Sequence, residues 1–80
     1  MDKTLARFAL WNAHNAADRF NGLLETVKQH GSADDYQSLS KAITKINGRI
    51  ANEIVAPLAA KFPDLKAEMD AAIAKYGYLI

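Results

Sequence analysis

The side chains with most chemical potential in this 80-residue chain are His14 and Asp18, His30, the serines at 32, 38 and 40, and the row Lys41, Lys45 and Arg49. His14 and Asp18 stand one helical turn apart and offer two metal ligands. His30 is the other histidine. On one helix the sixteen positions between the histidines span about 24 Å, so they cannot share an ion. A carboxylate-bridged metal in a bundle needs several Glu and Glu-x-x-His elements. Here Glu25, Glu53 and Glu68 all lack a histidine three residues on. The reading is no metal and no cofactor.

Nucleophilic and acid–base chemistry fare no better. Ser32 reads as a helix cap, and Ser38 and Ser40 have neither a glycine-rich elbow nor a paired base. Asp34 and Asp35 fall in a first helical turn, where the dipole favours the ionised carboxylate over a proton-donating acid. No glycine loop of phosphate-cradling spacing occurs. The chain therefore reads as a non-enzyme.

Lys41, Lys45 and Arg49, spaced i, i+4, i+8, form a basic ribbon that could track phosphates. Read more plainly, it is a solvated face that Glu53 continues as an i, i+4 partner of Arg49. Ten basic against nine acidic residues leave a formal charge of +1, without the basic excess of a dedicated nucleic-acid binder. A nucleic-acid-associated regulator is the alternative function. Two further groups stand out. Trp11-Asn12-Ala13-His14-Asn15 sets an aromatic among amides, a composition suited to a binding hot spot, unless a later helix covers Trp11. Asn47 lies among Ile43, Ile46 and Ile50, where a lone amide fixes register or sits at the stripe's edge and reaches water.

The elements that carry these residues are helices. Leu5, Ala9, Ala13, Ala16, Phe20, Leu23, Leu24 and Val27 recur at spacings of three and four. Gly31 provides the stop, Ser32 the next N-cap, and Asp35 completes a capping box. So tight a connection predicts an antiparallel hairpin. In the second helix Tyr36, Leu39, Ile43, Ile46, Ile50 and Ile54 share a face. Pro57 removes a hydrogen bond to Glu53 and pushes Ala56 out of the α region, predicting a kink or stop. A turn over 58–62 leads to Pro63 and a third helix with Leu65, Met69, Ala72, Ile73 and Tyr76 on one face. Gly77 ends it, Tyr78 then meets Ile73, and the apolar tail 78–80 docks.

The predicted fold is all-α: one domain over residues 1–80, a long antiparallel hairpin with a short third C-terminal helix, bundle-like and Pro-kinked at Pro57. The helices run over 4–30, 33–56 and 64–76. The third helix returns over the first half of helix one, where Phe8, Leu10 and Trp11 widen the apolar surface. Phe20, Leu23, Leu24 and Val27 against Tyr36, Leu39, Ile43 and Ile46 get no such lid. A core this small is often completed by oligomerisation.

The chain has no cysteine, which excludes disulfides and thiolate chemistry. Phe8-Ala9-Leu10-Trp11 is too short for a signal h-region, and no stretch nears the roughly 18 apolar residues that span a bilayer. The polar face of helix one mixes Asp18, Glu25, Arg19 and Lys28, which argues against a membrane-surface role. A cytoplasmic protein is expected. The functional expectation is a small interaction protein, an inhibitor or adaptor of a kind bacteria and phages encode, acting as a homodimer. Its candidate interface is Trp11, Asn15, Phe20, Leu23, Leu24, Val27, Tyr36, Leu39 and Ile43. The expected partners are a second copy or another protein, with no membrane.

Overall fold

A computed structural model describes residues 1–77, and over these the protein is all-α. Helix α1 spans Lys3–His30 and α2 spans Ala33–Arg49. A π-helical stretch, Ile50–Val55, follows without a break and passes into α3, Ala56–Lys61. Helix α4 covers Pro63–Tyr76. The expected contact of Tyr78 with Ile73 and the docking of 78–80 lie outside the described residues.

Local chemistry explains the boundaries. Asp2 caps α1, its carboxylate accepting from the Leu5 N–H at 2.8 Å. Ser32 and Asp35 form the capping box: Ser32 Oγ accepts from Asp35 N at 3.1 Å, and Ser32 N donates to Asp35 Oδ2 at 3.2 Å. Gly31 ends α1 in an extended conformation (φ −101°, ψ 179°), so positive φ is not why glycine stands there. The reason is space, because a Cβ would lie 2.9 Å from the Val27 carbonyl oxygen. Gly77, at φ 77°, does use the left-handed region, and its N–H returns to the Ile73 carbonyl at 2.7 Å.

The stop expected at Pro57, with Ala56 pushed out of the α region, needs correction. Ala56 keeps α dihedrals (φ −61°, ψ −46°), and the chain stays helical to Lys61 instead of turning over 58–62. Proline's ring normally meets the carbonyl four residues back. The π turn ahead of it widens the backbone, and Ala56 N–H bonds to Ala51, five residues back. The break comes later, at Phe62 (φ −129°, ψ 70°), immediately before Pro63.

The buried centre lies at one end. Ala6 and Leu10 of α1 close against Leu65 and Met69 of α4, with Trp11, Val55, Leu58, Phe62, Ala72 and Ile73 packed around them. Ala13 and Ile43 are the other buried apolar residues among those described. Lys3 pairs with Asp64, and Arg7 Nε donates to Glu68 Oε2 at 2.7 Å, so α4 lies along the first turns of α1. Here too an expectation moves. Leu5 and Ala9 belong to the expected stripe, but the structure buries Ala6 and Leu10, each one position (about 100°) further round, together with Ala13 of the stripe itself. Leu5 is 51% exposed.

Candidate interaction surface

Towards the tip of the hairpin, among the described residues, α1 and α2 pack on each other. Phe20, Leu24 and Val27 of α1 and Tyr36 of α2 are half-buried, Leu23 and Leu39 are exposed, and Ile43 alone of the predicted interface set is fully buried. Ile43 is thus a core residue and is not available for contact. Ile46 and Ile54, expected in the buried face of the second helix, are exposed instead.

The aromatic and amide patch is divided by the fold. Trp11 is half-buried against the Leu10–Leu65–Met69 cluster, so α4 covers part of it. Asn12 turns its amide onto its own helix, donating to the Phe8 carbonyl at 2.8 Å. Asn15 is half-buried and lines a small hollow of about 220 Å³ with Asn12, Ala16 and Arg19.

Asn47 is the polar group that bridges the two long helices. Its Nδ2 donates to Asn21 Oδ1 at 3.3 Å and reaches the Ala17 carbonyl at 3.5 Å. Its Oδ1 is buried without a hydrogen-bond partner among the described residues. Asn21 was missed at the sequence level. Its spacing from Ala13 and Ala17 on α1 was the available signal.

Two of the charged candidates, Arg49 and His14, meet a carboxylate one helical turn away. Lys41, Lys45 and Arg49 are all exposed, and Arg49 Nε donates to Glu53 Oε2 at 3.3 Å within its own helix. His14 Nε2 lies 3.4 Å from Asp18 Oδ2. Among the described residues no three histidine or acidic side chains converge as a metal site needs. The tip between α1 and α2 holds a hollow of about 400 Å³ lined by Val27, His30, Asp35, Ser38 and Leu39. Asp35 is engaged there in the capping box, so Ser38 has no free base from it.

Two salt bridges fix α4. The Lys3 ammonium, through its hydrogen bond, holds the Asp64 carboxyl below its ordinary value. Hydrogen bonding to Glu68 raises Arg7. Among the described residues, no helix is long and apolar enough to cross a membrane. No protein-family model matches the chain, and no curated protein or solved structure matches it.

Proposed function

We propose that this protein works by protein–protein contact, as an inhibitor or adaptor of a larger cytoplasmic protein, and not by catalysis. One observation carries the reading: large apolar side chains face solvent beside a core of six buried residues among those described. Leu5, Phe8, Leu23, Leu39, Ile46 and Ile54 are all exposed. Exposed apolar residues scattered singly are ordinary, and it is the number of them on so small a chain that supports an interaction surface. The architecture that serves it is an antiparallel α1–α2 hairpin with α4 as a short third helix. A kink at Pro57 belongs to the same reading, and the π turn beside the proline supports it, since both features bend helices. The basic row Lys41, Lys45 and Arg49 supports the nucleic-acid alternative less well, because Arg49 already faces Glu53.

The test places a photo-crosslinking amino acid at Phe8, Leu23 or Leu39 of the full chain in the cells that produce it. Covalent adducts with a second protein molecule, whether a different protein or another copy of this chain, absent when the probe sits at Ala67 of α4, are the expected result. No protein adduct from any of the three positions, together with heparin retention lost in a Lys41, Lys45 and Arg49 to Gln variant, would overturn the proposal in favour of nucleic acid.

A further inference from the structure

Among the described residues, the layer formed by α1 and α2 is covered on one side only. On that side Lys3 and Arg7 reach α4, and His14, Ala17 and Asn47 share a groove with Met69 and Ile73. At about 100° per residue, Leu5, Ala9, Ala16 and Leu23 lie on the opposite flank of α1. Leu39 and Ile46 lie on the matching flank of α2, away from Asn47. Leu23, Leu39, Ile46 and Ile54 are 43%, 36%, 41% and 42% exposed.

Two hollows shape this flank. One of about 300 Å³ opens over Ala16, Arg19, Phe20 and Leu23. The other, about 230 Å³, is lined by Ile46, Arg49, Ile50, Glu53 and Ile54. Apolar side chains make up most of both linings, with Arg19 in the first and Arg49 and Glu53 in the second. Concave apolar surface mixed with a few charged groups suits a protein interface.

Area points to the occupant. The chain exposes 5598 Å², whereas a compact monomer of 8.8 kDa exposes about 4,800 Å². The excess of about 800 Å² equals what one partner buries in a standard interface. The Cα radius of gyration of 14.5 Å exceeds the roughly 11.6 Å of a compact 80-residue domain, and the least extent is 15 Å. With a formal charge of +1, two copies can meet face to face without strong repulsion.

We propose that a second copy of this chain covers the flank opposite α4, placing four long helices in one isologous bundle. This rests on the contact reading above and names the partner for one face of that surface. It leaves Phe8 outside the dimer, free for a different protein.

Size-exclusion chromatography with light scattering on the full chain, from low micromolar to near millimolar, tests it. The expected mass is twice 8.8 kDa. Leu23→Glu and Ile46→Glu should each raise the dissociation constant at least tenfold with helical circular dichroism retained, and Phe8→Glu should leave it unchanged. A wild-type monomer throughout, or a dimer indifferent to Leu23→Glu and Ile46→Glu, overturns the proposal. Should the charged variants lose helix, Ile46→Cys and Ala67→Cys in this cysteine-free chain decide with a bis-maleimide linker. Dimeric adduct from position 46 alone supports the interface, and equal or absent adduct refutes it. Photo-adducts with another protein that persist on a strictly monomeric chain would refute the second copy alone and leave the contact reading standing.

Discussion

The Asn47 amide of α2 donates to Asn21 Oδ1 of α1 across 3.3 Å, while its own carbonyl oxygen is sealed from water with no donor among the described residues to meet it. One half of the side chain ties the long helices together, and the other half opposes the tie. A buried acceptor left unmet costs about 1–3 kcal/mol, enough to offset the 0.5–1.5 kcal/mol returned by each of the long hydrogen bonds to Asn21 and Ala17. Asn47 therefore aligns α1 and α2 at the expense of that unmet oxygen.

Replacing both effects with an apolar side chain should reveal that expense. Asn47→Leu is expected to stabilise the protein by about 1 kcal/mol, read as a higher urea midpoint. Asn21 is exposed and can turn to water, so it does not inherit the penalty. A loss of 1 kcal/mol or more would mean that Oδ1 has a donor in solution.

The rotation of α1 gives a second contrast. Leu10 is fully buried and Leu5 half in water, although both satisfy the same helical spacing. Leu10→Ala should cost about 3 kcal/mol, a large share of the roughly 4–12 kcal/mol available to 80 residues. Leu5→Ala should cost under about 0.5 kcal/mol in a monomeric preparation. Equal losses in thermal melts would contradict the packing.

The glycines divide in the same way. A methyl group at Gly31 would meet the Val27 carbonyl at 2.9 Å and the Val27 side chain at 3.2 Å, whereas nothing lies within 4 Å of one at Gly22 or Gly48. Gly31→Ala is expected to lower stability by about 1 kcal/mol. Gly22→Ala and Gly48→Ala should each raise it by about 0.4–1 kcal/mol by removing freedom from the unfolded chain. Denaturant midpoints that rank Gly31→Ala with the other two would show that the α1–α2 connection relaxes.

Acid should loosen α4 first. The hydrogen bond from Lys3 holds the Asp64 carboxyl below its ordinary 3.8. A carboxyl depressed in the folded state adds stability that is present above the unfolded value and lost as pH falls through the folded one. The loss therefore begins below about pH 4 and grows on further acidification. The pair is exposed, so its share is small. Asp64→Asn should flatten the decline of the urea midpoint below that pH without altering its value near neutrality by much. An unchanged acid slope would show that Lys3 and Asp64 part company in solution.

The sequence made the helix termini legible because they are local. Ser32 and Asp35 three residues apart, and Gly77 after a periodic run, each specify a cap without help from the rest of the chain. Which face of α1 turns inward was not legible. Leu5 with Ala9 and Ala6 with Leu10 repeat at the same interval, and the choice falls to α4, whose Leu65 and Met69 need small and aliphatic neighbours. The partner of Asn47 was hidden for the same reason, since pairing with Asn21 depends on the alignment of two helices. Pro57 signalled a disturbance, but not its form, because relief came from the backbone ahead of the proline. For the candidate surface, the surplus of apolar residues was visible. Its division into the covered Ile43 and the open Leu23, Leu39 and Ile46 needed coordinates.

The π turn also sets how this chain tolerates insertions and deletions. A wide turn holds about one residue more than an α turn, so it advances everything after it by close to 100° around the axis. Val55, Leu58 and Phe62 reach the Leu10–Leu65 cluster in that shifted frame. Deleting one residue within Ile50–Val55 would restore a regular helix and, in the same stroke, swing those three side chains out of phase with their neighbours. The local irregularity is thus the reading frame of the core, and a change that looks like a repair there would be a frameshift in packing.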